Sequence, residues 1–304
     1  MATIREIKRR IRSVRNISQV TKAMQMVAAA KMRRAQEQVM GTRPYAQKAW
    51  QLLTHLAVQA EALAHPHPLL EVRPVQTVGL VLITADKGLC GGYNHNIIRR
   101  AIQFIEEQEH PVKVIAVGRK GRDVMWRARY DLIAEFTGLP ALPSLADVTP
   151  IARTVIEDFT AGKVDEVYLA YTDFINTLVQ RPAIRRLLPL RPSLVEEQAM
   201  REYVEGAKPL GTIEYIYEPD PSTILNTVLP RFTELQVYQA VLESIASEHS
   251  ARMVAMRNAT ENAEDLIVEL TLTYNKARQQ AITREIVDIA SGAEALSKAF
   301  AAAR

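Results

Sequence analysis

The chain has 304 residues, 48% of them hydrophobic, which is enough apolar material for a sizeable core and excludes an intrinsically disordered protein. Its net charge is only +4, yet residues 1–48 carry twelve basic against two acidic side chains, so the remainder is net acidic. The single cysteine excludes an internal disulfide. We expect no direct membrane insertion, because no run approaches the roughly 18 apolar residues of a spanning helix and the N-terminus lacks a signal-peptide core.

The N-terminal segment, residues 1–64, predicts one long helix. Apolar side chains recur at spacings of three and four, the period of one helical face: Ile4, Ile7, Ile11 and Val14. Arginines populate the other faces of the same stretch. Gly41 and Pro44 are the first break signals, so we expect a kink or a short interruption there.

After a proline-punctuated linker over 65–74, buried apolar runs alternate with amphipathic segments. The apolar runs predict strands at 78–85, 112–118, 166–174 and 183–190. Helices are predicted at 94–109, from Lys120 onward, and at 149–161. This alternation predicts a mainly parallel, Rossmann-like α/β domain over about 75–215, with room for an antiparallel edge strand.

The C-terminal segment, residues 222–304, predicts a second long helix with Gly292 as its single glycine after Arg231. Side chains separated alternately by four and three residues form the seam of a left-handed coiled coil: Met256, Thr260, Ala263, Ile267, Leu270, Tyr274, Ala277 and Ala281. Seventy residues of helix are about 105 Å long. A compact globule of this chain length has a radius of gyration of about 19 Å, so this helix must protrude from the fold.

The two long helices therefore lie at opposite ends of the sequence, with a compact domain between them. Winding one along the other buries both apolar stripes. The predicted fold is a long antiparallel coiled coil of the N- and C-terminal helices, with a central α/β domain attached to it.

The stretch LITADKGLCGGYNHN, residues 82–96, places a glycine-rich turn between a strand and a helix. Gly88, Gly91 and Gly92 do not have the spacing of a dinucleotide fingerprint, and Tyr93 and Asn94 stand where a P-loop needs lysine and serine or threonine. A tight turn is the interpretation that the spacing favours. A nucleotide-binding α/β enzyme stays an alternative, although we expect no cofactor, no catalytic residue and no metal site.

The basic N-terminal helix is the strongest compositional signal. Such a concentration of positive charge attracts an acidic protein surface or a nucleic acid backbone. Only Tyr45 and Trp50 supply aromatic side chains nearby, and no nucleic-acid reading module is visible. An acidic protein partner is the favoured hypothesis, and a basic coiled-coil protein that binds nucleic acid is the alternative.

Three stretches resemble the gamma subunit of bacterial F-type ATP synthases: IREIKRRIRSVRNISQVTKAMQMVAAAKMRRAQ near the start, ITADKGLCGGYN in the middle, and SEHSARMVAMRNATENAEDLIVELTLTYNKARQQAITREIVDIASGAEAL near the end. They occur in the same order and at suitable distances. The resemblance implies a non-catalytic rotor shaft that couples ion-driven rotation of a membrane ring to conformational change in catalytic beta subunits. It implies no cofactor and no nucleic acid partner.

The resemblance also assigns roles to individual residues. Contacts to the beta subunit are expected at Met24, Lys31, Arg33, Arg34, Cys90, Arg278 and Gln279. A bearing tip held at the top of the hexamer is expected at Ala293, Leu296 and Phe300.

The expected partners are the hexamer of alpha and beta subunits, the epsilon subunit and the ring of proteolipid c subunits. The expected location is the cytoplasmic face of the plasma membrane, held there through the complex. Residues 193–211 match nothing in the family pattern, and their role stays open.

Overall fold

The computed structural model describes residues 3–60, 67–190 and 221–302, with side chains left out at 43, 45–47, 49–60, 221–222 and 294–302. The segment 193–211, whose role the sequence leaves open, lies outside the described residues. The chain divides into two compact units, Met1–Met26 with Ala255–Arg304, and Val27–Val254. We call them the helical unit and the α/β unit and describe each by itself.

The helical unit contains the start of α1 (Ile4–Ala60) and the end of the last helix, α5 (Pro221–Ala302). A reciprocal pair of bonds begins α1. The Thr3 N–H donates to Glu6 Oε2 at 2.9 Å, and the Glu6 N–H donates to Thr3 Oγ1 at 3.3 Å. This capping box satisfies backbone donors that a helix N-terminus otherwise leaves open.

The coiled-coil seam predicted on α5 is confirmed by burial. All eight seam positions of the alternating four–three pattern, from Met256 to Ala281, are buried or half-buried. All other side chains in that range except Ala259 are exposed. On α1 the matching stripe of Ile4, Ile7, Ile11 and Val14 is likewise buried or half-buried. A single narrow stripe on each helix is the pattern of two helices that pair with each other.

One buried polar contact fixes the direction of this pair. The hydroxyls of Thr21 and Thr260 lie 2.7 Å apart across the seam. Ile7, fourteen residues before Thr21, is also buried. In a parallel pair Ile7 would lie opposite α5 residues well before Thr260, but the α5 part of this unit begins only at Ala255. The cover of Ile7 must therefore come from α5 residues after Thr260, which makes the pair antiparallel, as the sequence predicts.

Of the kink or short interruption expected near Gly41 and Pro44, the interruption is wrong: α1 is helical from Ile4 to Ala60, with Pro44 inside it. A kink there stays a prediction. Proline at this position removes one backbone donor, the bond to the Met40 carbonyl four residues earlier. The other backbone bonds of the helix continue on both sides of this position, so proline does not end α1 here.

The α/β unit is built on a five-stranded sheet. Its strands are β1 (Val78–Ile83), β2 (Val112–Val117), β3 (Asp131–Phe136), β4 (Glu166–Phe174) and β5 (Gln180–Leu188). They lie in the order β3-β2-β1-β4-β5. Neighbours are parallel except β4 and β5, which are antiparallel. The predicted parallel sheet with an antiparallel edge is confirmed.

Sequence pattern alone misses β3. Its side chains alternate between exposed and half-buried, unlike the fully buried run of β1, because β3 lies at the edge of the sheet. A register shift opposite Val114 and Ile115 adds one extra residue, Ile133, to the strand. Such a bulge disrupts strand periodicity and protects an edge from further pairing.

Helices cover both faces of the sheet. On one face lie α2 (Tyr93–Glu107) and α3 (Arg119–Arg127), whose apolar side chains pack on the even-numbered residues of β1. On the other face, α4 (Leu145–Thr160) and the first part of α5 pack on Val81 and Ile83. Three layers with one core on each face are the expected consequence of parallel strands that are buried on both sides.

Candidate functional site

The glycine-rich turn after β1 lies at the carboxyl edge of the sheet, where strands and helices of α/β proteins present their functional loops. It needs left-handed backbone at two residues, Leu89 with φ 61° and Gly91 with φ 56°. Asn94 fixes the turn: its Oδ1 accepts from the Ala85 N–H at 2.9 Å, and its Nδ2 donates to Cys90 Sγ at 3.1 Å. These two hydrogen bonds of Asn94 hold the turn in one conformation.

This turn buries Cys90 and exposes its neighbour. The Cys90 side chain is 2% exposed and packs with Ala85 and Tyr93, whereas Leu89 is 66% exposed. Burial raises the pKa of the Cys90 thiol above its ordinary value. The cysteine thus acts as a small apolar residue that anchors the turn, and Leu89 is the apolar side chain that the turn presents.

Asp86 joins three loops at this edge. Its Oδ1 accepts from the Arg119 N–H and its Oδ2 from the Gly138 N–H, both at 2.9 Å. Thr84 Oγ1 accepts from the Gly121 N–H at 2.9 Å, and the Ala85 carbonyl accepts from the Lys120 N–H at 3.1 Å. The N-terminal donors of α3 are therefore occupied by the protein.

That arrangement bears on the nucleotide-binding alternative. In a Rossmann fold, phosphate binds to the free N–H groups at a helix N-terminus. At α3 those donors already bond to Asp86, Ala85 and Thr84, and the Asp86 carboxylate would repel a phosphate. The N-terminus of α3 is therefore closed to a phosphate, in a unit that has the layers of a nucleotide-binding fold.

Arg252 of α5 clamps the turn from the opposite side. One of its terminal nitrogens, Nη1, donates to Glu248 Oε1 at 2.6 Å and lies 3.2 Å from His249 Nδ1. Its Nη2 donates to the Gly88 carbonyl at 3.1 Å. The planar guanidinium holds the two partners through two different nitrogens in a fixed fork, a geometry that lysine does not have.

A cleft of about 240 Å³ opens between the turn, α1 and α5. Its charged lining comprises Lys31, Asp86, Lys87, Glu248 and Arg252. The two carboxylates are already engaged, Asp86 by backbone donors and Glu248 by Arg252. Among the described residues no ion pair involves Lys31 or Lys87, so the cleft presents two lysines that an acidic group from another molecule could neutralise.

Burial shifts the pKa values of the two side chains next to Arg252. Removal from water raises the pKa of Glu248, and Arg252 opposes that shift. The same removal from water, with the charges of Arg252 and Lys31, lowers the pKa of His249 to about 4. His249 is therefore neutral in the folded protein at neutral pH.

The pKa of His249 gives a testable pH dependence of stability. Unfolded imidazole titrates near 6.5, so as pH falls from about 6.5 to 4 the unfolded chain gains a proton that the folded chain does not. We expect the free energy of unfolding of His249→Gln to fall less on acidification. Between pH 7 and 5 its loss should be about 2 kcal/mol smaller than that of the unsubstituted chain. Urea unfolding at both pH values measures this difference.

The control for His249 is His95→Gln, because His95 is exposed. It should leave the pH dependence unchanged. The raised pKa of Glu248 acts in the opposite direction, because the folded chain takes up that proton at a higher pH than the unfolded chain. It reduces the dependence of unfolding free energy on pH equally in His249→Gln and His95→Gln, so the difference between these variants remains. Equal slopes for His249→Gln and the unsubstituted chain would contradict the assignment.

A second rigid loop, the hairpin between β4 and β5, also meets α5. Asn176 Oδ1 accepts from the N–H groups of Leu178 and Val179 at 2.9 and 2.8 Å. Ser250 Oγ donates to the Thr177 carbonyl at 2.8 Å. Leu178, at the tip, is 78% exposed. α5 therefore holds two loops in fixed positions through residues that are two apart, Ser250 and Arg252.

The structure places the sequence-predicted contact residues as follows. In the α/β unit Lys31 is half-buried at the cleft, while Arg33 and Arg34 are exposed. In the helical unit Met24 is half-buried, and Arg278, Gln279 and Ala293 are exposed. Helix α5 includes positions 296 and 300, but the side chains of Leu296 and Phe300 lie outside the described residues.

Sequence reasoning missed the residues that organise the cleft. Nothing in the sequence pattern indicates that Asp86 joins three loops or that Arg252 and Glu248 reach the turn. The signal that could have found Asp86 is its position, one polar residue shortly after a buried parallel strand.

An antiparallel helical pair with exposed apolar positions, together with an α/β unit of Rossmann-like layers, defines a class: a coiled-coil stalk protein with an attached Rossmann-like domain. The sequence model of the ATP synthase family matches residues 3–296. The chain belongs to the ATP synthase gamma chain family.

Individual relatives support the same assignment. The chain is 50% identical to the ATP synthase gamma chain of Dehalococcoides mccartyi strain CBDB1 over 297 residues, covering 98% of this chain and all of the relative. It is 51% identical to that of Roseiflexus castenholzii over 302 residues, with the same coverage.

Among solved structures, one similar chain comes from the mitochondrial ATP synthase central stalk and c-ring of Tetrahymena thermophila, at a TM-score of 0.59 and 28% identity. That alignment covers 79% of this chain and 99% of the other. A chain of the Euglena gracilis mitochondrial ATP synthase, at 21% identity and a TM-score of 0.62, covers 96% of this chain and 94% of the other and shares the fold.

Proposed function

We propose that this chain is the central rotor shaft of a proton-translocating F-type ATP synthase. The observation that carries the proposal is the antiparallel helical pair, whose narrow seam is buried while its other faces are exposed. The shaft couples rotation of a membrane ring to conformational change in catalytic beta subunits, and so regulates ATP turnover and proton flow. It is itself a non-catalytic subunit.

The exposed faces of the helical unit suit a shaft that turns inside a partner. Several large aliphatic side chains of α5 are exposed to solvent, among them Leu272 and Ile289. Exposed apolar surface of this kind marks contact with another protein. At each rotation angle of the shaft, different side chains face a given beta subunit and stabilise a different beta conformation. Such a difference in interaction energy is required for rotation to change the conformation of beta.

Contacts with the beta subunit are proposed at Met24, Lys31, Arg33, Arg34, Arg278 and Gln279, and at the turn around Cys90. Because Cys90 is buried, Leu89 and Lys87 would make the contact at that turn. The free lysines of the cleft support an acidic beta segment as the occupant. Ala293, Leu296 and Phe300 are proposed as the bearing tip.

The proposed partners are the alpha and beta hexamer, the epsilon subunit and the ring of c subunits. The proposed division is a helix over 1–64, a central domain over 75–215 and a helix over 222–304. No helix in the described ranges is long and apolar enough to cross a membrane. We place the chain at the cytoplasmic face of the plasma membrane, attached through the complex.

Charge reversal tests the electrostatic part of this proposal. We expect Arg33→Glu with Arg34→Glu to weaken coupling, because both arginines are exposed in the strongly basic segment and would then repel an acidic partner. Removing two exposed attractions and adding repulsion costs roughly 1–3 kcal/mol at the interface. ATP-driven proton pumping per ATP hydrolysed, in inverted vesicles, is the measurement.

Two control variants accompany it. Arg99→Glu with Arg153→Glu makes the same charge change at exposed positions on α2 and α4. Glu261→Lys with Glu264→Lys changes exposed residues of α5, where Glu261 pairs with Arg257. Loss of pumping in all three variants to the same extent would remove the electrostatic argument while leaving the shaft intact.

Assembly tests the shaft itself. Purified alone, the chain should hydrolyse no ATP, and mixing it with alpha and beta subunits should raise and regulate their turnover. A chain that does not join that hexamer would refute the proposal.

A further inference from the structure

Helix α3 carries a basic and aromatic stripe to which none of the contacts proposed above is assigned. Arg119, Arg122, Trp126 and Arg129 are spaced by three, four and three residues, so the first three share one face of the helix and Arg129 follows just beyond its end. We call these four residues the α3 stripe. Its centre is Trp126, 72% exposed, which is unusual for so large an apolar side chain.

Two of the three arginines in the α3 stripe have no ion pair among the described residues. The guanidinium of Arg122 is engaged by Asp123 at 2.8 Å and by Glu135 at 3.4 Å. No ion pair to Arg119 or Arg129 occurs among the residues that the structure describes, and both side chains are exposed. Two cations thus flank an exposed indole, an arrangement that suits an anionic partner with an apolar group between its charges.

Carboxylates lie within the same surface. Asp123 stands on α3, and Asp131 and Glu135 are exposed on the adjacent edge strand β3. A membrane or a nucleic acid backbone presents uniform negative charge and would be repelled by these three groups. A protein segment can place its carboxylates opposite Arg119 and Arg129 and avoid the acidic positions.

The edge strand itself favours contact through side chains. The bulge at Ile133 interrupts the regular ladder of β3, and bulged edges discourage the addition of another strand. The α3 stripe is carried by a helix that is anchored by buried Met125 and by the hydrogen bonds that N–H groups of its first turn donate to Asp86 and Thr84. It is a preformed surface, which lowers the entropic cost of binding.

We propose that the α3 stripe is a docking surface for an acidic segment of a partner protein, in which carboxylates bond Arg119 and Arg129 and an apolar side chain packs on Trp126. The occupant is defined by this chemistry: negative charges on both sides of an apolar residue. The surface lies outside the cleft of Lys31, Lys87 and Arg252 and uses none of its residues.

The test places a photoreactive benzoylphenylalanine at Trp126 in the complete ATP synthase, in its native membranes. Trp126 is exposed and the replacement is also aromatic, so the α/β unit should fold as before. After irradiation, we expect this chain to cross-link to a peptide with net negative charge around the linked residue. Mass spectrometry identifies the peptide or lipid that is captured.

Charge variants and a matched position make the result specific. Arg119→Glu with Arg129→Glu should lower the cross-link yield by roughly fivefold or more, whereas Arg119→Lys with Arg129→Lys should retain most of it. The same photoreactive residue at Val72, also exposed at 58%, should not capture this peptide. Cross-links to phospholipid, to a basic peptide or to nothing, or a yield that charge reversal leaves unchanged, would each overturn the proposal.

Discussion

Gly118→Ala is expected to prevent stable folding of the α/β unit. Gly118 has φ 95°, and a Cβ at this position would lie 2.1 Å from the Thr84 carbonyl oxygen and 2.7 Å from the Thr84 carbonyl carbon. Both are backbone atoms in the segment that follows β1, so neither can rotate away. Relieving the clash would separate the loops that Asp86 and Thr84 join, at a cost of roughly 4 kcal/mol or more.

Gly138→Ala is the matched control, because Gly138 also has a positive φ, 78°, but no atom lies within 4 Å of the added Cβ. Gly138→Ala should lower the free energy of unfolding by roughly 1–2 kcal/mol, the strain of placing an alanine at positive φ. Circular dichroism with urea unfolding measures both variants. If Gly118→Ala and Gly138→Ala lose the same stability, the close approach of Gly118 to Thr84 is not what constrains this position.

The second large effect is expected from Leu270→Pro. Leu270 is a half-buried seam residue of α5, and proline there removes a backbone hydrogen bond and clashes with the Leu266 carbonyl. We expect the helical unit to lose roughly 3 kcal/mol or more and α5 to kink within the seam. ATP synthesis driven by a proton gradient should fall more than ATP hydrolysis, because a kinked shaft transmits less torque than a straight one.

Leu270→Ala separates loss of packing from loss of the helix. It removes the same seam side chain and keeps the backbone bond, so it should cost less stability and retain coupled synthesis. Synthesis and hydrolysis are measured in the same vesicle preparation. A Leu270→Pro complex that synthesises ATP as fast as the unsubstituted one would show that a continuous α5 is dispensable.

The sequence determines the elements whose signal is repeated or extreme. The four–three spacing on α5 and the stripe on α1 predict the antiparallel pair, because burying two narrow stripes leaves few arrangements. The buried runs of β1, β2 and β4 are likewise evident, since strands covered on both faces are predominantly apolar. The family resemblance depends on the same stretches.

The edge strand, the proline within α1 and the start of α4 are predicted poorly, each because of a local feature of the chain. β3 carries alternating polarity and a bulge at an edge, so its pattern is weak. Pro44 suggested a break that the rest of α1 overrides. α4 begins at Leu145, earlier than predicted, because the Ser144 N–H bonds to Asp147 Oδ2 at 2.7 Å and caps the helix.

By itself, then, the sequence determined the two long helices, the parallel sheet between them and the family, since periodicity and motif order are properties of the linear chain. Only the tertiary structure decided that Cys90 faces inward, that Asp86 occupies the donors of α3, and that Arg252 reaches the Gly88 carbonyl. Arg252 and Gly88 are 164 residues apart in sequence, and local spacing carries no information about which distant backbone group a side chain will meet.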